Sequence, residues 1–349
     1  MNILLFSRFD YQGASSRVRT LQFVPYLRSA GHTITVQSLF NRTYLASLYE
    51  TGKRPFLRIT YSYIIRILSL FTINKYDLIY IEKELFPGFP SIAESLIATL
   101  KKPYIVDYDD AIFINYSTSK NYYMALLSNK IFKIMKKSSY VICGNEYLLQ
   151  QASNHGSKRI IIVPSVVDLN RYIPRENHNR KVVIGWIGTP STSKYLDIVD
   201  EVLAELFNHY DFELHVIGAN YYSKKYNILN YEWNIESEIN LLSQIDIGIM
   251  PLYNDTWEQG KCGYKLIQYM AMSKPVIASK VGENINIIKH NHDGFLAENQ
   301  SQWKKYLTML FSSSNKRKEI GKNARNKIEE KYNLEYSFSK IKYVIDKFK

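Results

Sequence analysis

The stretch PSVVDLNRYIPRENHNRKVVIGWIG, Pro164 to Gly188, decides how the rest of the chain is organised. Its first part is polar and punctuated by Pro164 and Pro174, as a connection between folded units is. Its end, VVIGWIG, is a short apolar run closed by glycine, the pattern of a strand buried on both faces. Toward the amino terminus, NILLFS, TITVQSL, DLIYIE, PYIVDY, YVICG and RIIIVP are runs of the same kind, separated by segments of helical length and period. Beyond the connection the pattern starts again: ELHVIG, DIGIMPL and PVIAS follow VVIGWIG. Strand runs without polar alternation belong to parallel sheets covered by helices on both sides. The expected fold class is therefore α/β, with two Rossmann-like, doubly wound domains joined near residues 170 to 180.

Length and composition agree with that division. A chain of 349 residues exceeds one ordinary core and suits two domains of about 170 each. Hydrophobic residues at 46% supply material for two cores. The two cysteines, Cys143 and Cys262, stand far apart with no CxxC or Cys/His cluster, which points to a reducing compartment and away from a structural metal site. The opening MNILLFSRFD lacks a basic segment followed by a long apolar one, so it is expected to form a buried first strand in a cytoplasmic protein. The formal charge is +13, and the first 172 residues hold an excess of ten of it. Such asymmetry suits an anionic membrane surface, a nucleic acid or a charged substrate. With no arginine-rich tract, RNP-like aromatic motif or helix-turn-helix pattern, nucleic acid is set aside.

Residues 54 to 73, RPFLRITYSYIIRILSLFTI, place Arg54, Arg58, Ser62, Arg66, Ser69 and Thr72 in one stripe at helical spacing, with a wide apolar face opposite. A spanning helix would hold two arginines inside the bilayer, at about 2.5 to 3.5 kcal/mol each near its centre, so a transmembrane segment is rejected. Two placements remain. The helix packs on its sheet, or it lies on a membrane with Arg54, Arg58 and Arg66 against the anionic leaflet or the acceptor.

Glu258 to Ser279 reads EQGKCGYKLIQYMAMSKPVIAS, a short apolar helix with Lys261, Gly263 and Lys265 at its mouth. Unsatisfied N–H groups, the helix dipole and added lysines make such a mouth a seat for an anion. After VVIGWI, the segment GTPSTSK puts Gly188, Ser191, Thr192 and Ser193 in a strand-to-helix turn, where hydroxyls and N–H groups meet a phosphate or simply cap the helix. In DYDDAIF, three carboxylates fall within four positions, Asp107, Asp109 and Asp110, at the carboxyl end of a strand. Like charges so crowded cost stability unless a ligand or a turn uses them.

GHTITV, PSVVDLNRYIP, IGWIGTPSTSKYL, IDIGIMPL and KLIQYMAMSKPVIASKVGENINIIKHNHDGFL, taken in that order, resemble the motifs of the retaining GT-B glycosyltransferases of family 4, the group 1 kind, over nearly the whole chain. The resemblance implies two Rossmann-like domains facing across a cleft. Residues 1 to 172 would bind the acceptor, 173 to 331 a nucleotide sugar, and 332 to 349 would form a helix returning to the first domain. It further implies that Gly13, Ala14, Gly188, Thr189, Ser191, Lys194, Lys261, Gly263, Tyr264, Lys265 and Gln268 line the donor site, with the nucleobase near Tyr231 to Trp233. The family's pair of glutamates is absent, since Gly260 and Gln268 occupy those positions, although Glu258 lies two residues upstream. Thr189 stands where an arginine is common, while Lys194 keeps the lysine.

Lys194, Lys265 and the helix start are the expected stabilisers of a departing nucleoside diphosphate, and Asp109 and Asp110 are the expected groups for acceptor positioning or proton handling. With lysines in the role a metal fills elsewhere, no metal or other cofactor is expected. The expected partners are a nucleotide-sugar donor and a lipid-linked saccharide acceptor at the inner face of the cell membrane, as in surface polysaccharide assembly. A sugar-nucleotide epimerase and a catalytically silent nucleotide-binding subunit are the competing readings. An NAD-dependent oxidoreductase is disfavoured because no GxGxxG follows a strand run.

Overall fold

The computed structural model describes residues 1–349 apart from 42, 45, 46, 48–54, 176, 178 and 179, so Arg54 lies outside the described residues. Two compact units emerge. The first comprises Met1–Ser165, Gly260–Cys262 and Ser337–Lys349, and the second Val166–Gln259 and Gly263–Tyr336. The polar connection leaves the first unit at Ser165, before Pro174 is reached.

The first unit is built on six parallel strands: β1 (Asn2–Phe9), β2 (Thr33–Phe40), β3 (Leu78–Glu82), β4 (Tyr104–Tyr108), β5 (Tyr140–Cys143) and β6 (Ile160–Ile162). Their order is β2-β1-β3-β4-β5-β6. Every residue of β3 and β4 is buried, as unalternating apolar runs require. The second unit repeats the plan with β7 (Val182–Ile187), β8 (Phe212–Ile217), β9 (Ile228–Tyr231), β10 (Ile247–Met250), β11 (Val276–Ser279) and β12 (Phe295–Ala297), in the order β12-β11-β10-β7-β8-β9. The edge strands β9 and β12, four and three residues long, lie outside the apolar runs read from the sequence. Strand order reverses between β1 and β3 and between β7 and β10, and carboxyl ends of strands at such a reversal are where open α/β sheets bind ligands.

The helix Phe56–Leu70 packs on the first sheet, and its orientation corrects the placement of Arg66 against a membrane or acceptor. Arg66 is wholly buried. Its Nη2 donates to Ser7 O at 2.5 Å and Gln37 O at 2.9 Å, its Nε to Gln37 Oε1 at 2.6 Å, and its Nη1 to Leu85 O at 3.3 Å. Burial pulls its pKa down to about 9, opposed by Glu82. Its guanidinium donates to carbonyls of β1, β2 and the loop after β3 and to the Gln37 side chain, bonds that a neutral side chain would not supply. Arg58 is exposed. No helix among the described residues is long and apolar enough to cross a membrane.

His32 and His215 are buried, and burial lowers the pKa of both, more than the nearby Glu213 raises that of His215. Both rings therefore bind fewer protons folded than unfolded once pH drops below about 6.5. Stability is expected to decline as pH falls through that value, read as a lower urea midpoint at about pH 5.5 than at about pH 7.5. Equal midpoints would remove this role from both histidines.

Candidate active site

At the carboxyl edge of the first sheet, the ends of β3 and β4 meet the turn after β1. Lys83, directly after β3, has φ 64°, a left-handed conformation that costs a lysine roughly 1 kcal/mol or more. What holds it there is charge. Its Nζ lies 2.7 Å from Asp109 Oδ1 and 3.5 Å from Asp110 Oδ2, and it donates to Ser15 Oγ at 3.1 Å. Ser15 Oγ in turn donates to Asp109 Oδ2 at 2.8 Å. Burial works against the charged form of Lys83, but Asp109 and Asp110 overcome it and raise its pKa. Burial likewise opposes the Asp109 carboxylate, yet Lys83 and Arg19 hold it below the usual range. Asp110 moves the other way: burial and the neighbouring Asp109 raise its pKa, and about a third of its side chain is open to solvent. Two adjacent carboxyl groups thus have opposite tendencies, one locked in an ion pair and one disposed to hold a proton.

Asp107 belongs to another structure. Within β4 it accepts from Arg19 Nη2 at 2.7 Å and Nε at 3.0 Å and from Tyr80 Oη at 2.8 Å, and Arg19 also donates to Val163 O at 2.8 Å. Both partners are buried, so this pair braces the sheet beneath the acidic edge. Arg17 is buried as well and donates to Tyr11 O at 3.1 Å. Gly13 precedes the helix Ala14–Arg19, and a Cβ there would stand 2.3 Å from Phe9 Cβ, so the turn over β1 closes only with glycine. Ala14 next to it is exposed.

The segment Gly260–Cys262 completes this edge. Cys262 Sγ donates to Asp109 O at 3.0 Å, Lys261 O accepts from Asn145 Nδ2 at 3.1 Å, and a Cβ on Gly260 would stand 2.4 Å from Ala111 Cβ. The charge of Lys261 acts to lower the Asp110 pKa. The mouth of the Glu258–Ser279 stretch is therefore divided: Lys261 stands with the acidic edge of the first unit, and Lys265 with the second.

In the second unit the helix Tyr264–Ala271 starts from Gly263, whose φ of 64° suits glycine. Lys265, in its first turn, sets Nζ 3.9 Å from the ring centroid of Trp186, one strand position from the end of β7. A Cβ on Gly188 would approach that Nζ to 2.6 Å and the Trp186 ring to 2.4 Å. Gly218, at φ 84° after β8, brings its Cα beside Gly188 O, where a Cβ would stand at 2.4 Å. Two glycines at adjacent strand ends let the Trp186 ring and Lys265 pack directly on the backbone, which holds the ammonium beside the strand ends at a helix start, a place suited to an anion.

Thr189, Ser191, Thr192 and Ser193 fill the turn after Gly188, but their hydroxyls largely serve the turn. Thr189 and Thr192 form a reciprocal capping box, and Ser193 Oγ donates to Pro190 O at 2.9 Å. Lys194 is exposed, its Nζ 5.6 Å from the Tyr195 ring centroid. Glu258 is buried and accepts from Tyr195 Oη.

Gln268, at the second glutamate position, points into a buried network. It donates to Tyr172 Oη at 2.9 Å, Tyr172 Oη donates to Glu238 Oε1 at 2.8 Å, and Trp233 Nε1 donates to Glu238 Oε2 at 2.7 Å. Arg171 pairs with Glu238 at 2.9 Å, and Tyr264 Oη lies 3.5 Å from Tyr172 Oη. The buried carboxylate Glu238 thus orders Trp233, Tyr172 and Gln268 together. Sequence reading missed Lys83, Glu238 and Tyr172. Lys83 had a signal, a charged residue directly after the apolar run DLIYIE, whereas Glu238 sits in an ordinary polar stretch.

Two parallel six-stranded α/β units, each with its polar groups gathered at the carboxyl ends around a reversal of strand order, define the GT-B fold of the glycosyltransferases. The family model for glycosyl transferases group 1 matches residues 170–327, which, apart from Gly260–Cys262, lie within the second unit. An uncharacterized glycosyltransferase of Methanocaldococcus jannaschii is 24% identical over 202 residues. That match spans 54% of this chain and 54% of the curated relative, about half the length of each. Anabaena HepE in complex with UDP-glucose superposes with a TM-score of 0.71 at 12% identity, over 99% of this chain and 100% of that one. A glycosyltransferase from Rickettsia africae superposes with a TM-score of 0.68 at 17% identity, over 99% and 98% of the two chains.

Proposed function

We propose that the protein transfers a sugar from a UDP-sugar to a saccharide acceptor with retention of configuration, the acceptor being lipid-linked and the reaction part of surface polysaccharide assembly at the inner face of the membrane. The observation that carries this reading is Lys265 seated on Trp186 beside Gly188, at the start of a helix and at the carboxyl end of β7. An ammonium held at a helix start, with the helix dipole behind it, suits a diphosphate. The UDP-glucose complex of HepE supports uridine as the base.

In the proposed reaction the bond between the anomeric carbon and the UDP oxygen breaks while the acceptor oxygen bonds to the same face of that carbon. The acceptor proton passes to the departing phosphate. Lys265, the helix start and Lys194 carry the charge that develops on UDP, the electrostatic term that dominates such sites. Those cations stand in the place of a divalent metal, so none is required. Asp110, partly open and with its pKa raised by burial and Asp109, receives the acceptor hydroxyl, and Asp109 with Lys83 fixes its position. Lys261 offsets the charge of Asp110, and the Trp233 ring, aligned by Glu238, lies toward the base.

Calorimetric titration with UDP-, GDP- and ADP-sugars tests this directly. UDP-sugars are expected to bind at least roughly tenfold more tightly than the others, because a site built to hydrogen-bond one base leaves polar groups unpaired with another. Binding of none of the three would overturn the donor site. Binding without transfer to any saccharide acceptor, even from membrane extracts, would overturn the transferase.

A further inference from the structure

Fourteen of the twenty-two large hydrophobic side chains that are exposed among the described residues fall between Phe56 and Leu126, about a fifth of the chain. On the helix Phe56–Leu70 and the residue after it, Leu57, Tyr61, Ile64, Leu68 and Phe71 recur every three or four positions and form a single stripe. That stripe lies opposite the buried Arg66 and faces solvent, with Leu57 83% and Phe71 80% exposed. The helix is amphipathic in reverse: Arg66, at the centre of its polar stripe, is spent on the sheet and its apolar stripe is outside. The surface continues past this helix. Tyr63 on its flank packs against Phe89 at 5.5 Å, Phe89 leads into the helix Ile92–Thr99 with Ile92 and Leu96 exposed, and that helix packs on Lys130–Lys137.

Charge along the segments that form this surface has one sign, with the exposed Asp77 just beyond them. Between Pro55 and Tyr76 and between Ala111 and Asn145 the chain has no Asp or Glu, and between Phe86 and Pro103 it has only Glu94, which is buried. Arg58, Lys75, Lys101, Lys133, Lys136 and Lys137 are exposed on the same segments. A second copy of the chain would set this basic rim against itself across a two-fold interface. An anionic leaflet would attract it, each lysine or arginine near the surface contributing roughly 1 kcal/mol, while the apolar stripe enters the acyl boundary.

We propose that this acid-free face, centred on the outward stripe of Phe56–Leu70, seats the protein on an anionic bilayer, with apolar insertion as the anchor and the lysines as the steering charge. It deepens the lipid-linked acceptor reading and rests on it for its purpose, but vesicle binding requires neither donor nor acceptor. Failure here and failure of sugar transfer are therefore told apart.

The test is sedimentation with vesicles of phosphatidylcholine, with or without phosphatidylglycerol, using the full chain. Wild type is expected to partition onto the mixed vesicles and weakly onto phosphatidylcholine alone. Leu57→Ser/Ile64→Ser/Leu68→Ser is expected to lower the partition roughly tenfold or more, because three exposed anchors are lost. Its melting temperature and UDP affinity should match wild type, which separates loss of docking from loss of fold. Lys133→Gln/Lys136→Gln/Lys137→Gln is expected to erase the preference for phosphatidylglycerol. Vesicle binding by the triple-serine variant equal to wild type would overturn the proposal. So would absence of wild-type binding, and a dimer in sedimentation velocity that the triple-serine variant abolishes would then assign the face to a second copy.

Discussion

Lys265→Ala is expected to weaken UDP binding by between roughly tenfold and a hundredfold while leaving the melting temperature within a few degrees of wild type. A charge-assisted hydrogen bond contributes about 1.5 to 3 kcal/mol, and the ammonium on Trp186 is already oriented, so little side-chain entropy is lost when a phosphate arrives. The substitution leaves the Gly188 backbone in place, and the helix Tyr264–Ala271 accepts alanine in its first turn. Lys194→Ala should cost less, because that side chain is exposed and must be ordered by the ligand. Calorimetry with UDP reads both. Unchanged affinity in Lys265→Ala would remove the diphosphate from the carboxyl end of β7 and with it the proposed stabilisation of the leaving group.

Lys83→Met is expected to lower the unfolding free energy by about 3 to 5 kcal/mol, the largest loss anticipated for a single substitution at the site. Removing the ammonium leaves Asp109, 87% buried, with its nearest counter-charge gone while Asp110 stands beside it. The carboxyl group would then take up a proton, so the variant should lose most stability at neutral pH and regain some as pH falls toward the raised Asp109 pKa. Lys83→Met/Asp109→Asn should recover a substantial part of the loss, since neither charge is then stranded. Urea unfolding of the two single variants and the double variant gives the coupling. Additive losses would show that Lys83 and Asp109 do not depend on each other, and Asp110 would then lack the fixed neighbour that the proposed acceptor site needs.

Much of the fold was legible because burial leaves a simple mark. The first six strand runs and four of the second unit's six reappear in the structure, since strands covered on both faces must be apolar throughout. In the second unit β9 and β12 escaped notice; β9 is only half-buried, so its residues form no continuous apolar run. Glycine positions were legible for a related reason: Gly13, Gly188 and Gly263 each stand where a side chain would strike a neighbour or strain the backbone. Charged residues were far less legible. In DYDDAIF, neighbours in sequence separate into a buried brace, an ion pair and a partly open carboxyl group, because Asp107 lies within β4 while Asp109 and Asp110 follow it. The arginine stripe of residues 54 to 73 has the period of an amphipathic helix, and period alone does not say which side meets the sheet.

By itself the sequence determined the α/β class, the restart after the polar connection and the match of residues 170–327 to glycosyl transferases group 1, all properties carried by local runs and their order. Tertiary structure alone decided that Lys83 pairs with Asp109, that Glu238 gathers Trp233, Tyr172 and Gln268, and that Arg66 turns inward while Leu57 and Phe71 turn outward. The physical reason is that periodicity reports which residues share a face. The partner of a buried charge comes from a distant strand or loop, and only packing selects it.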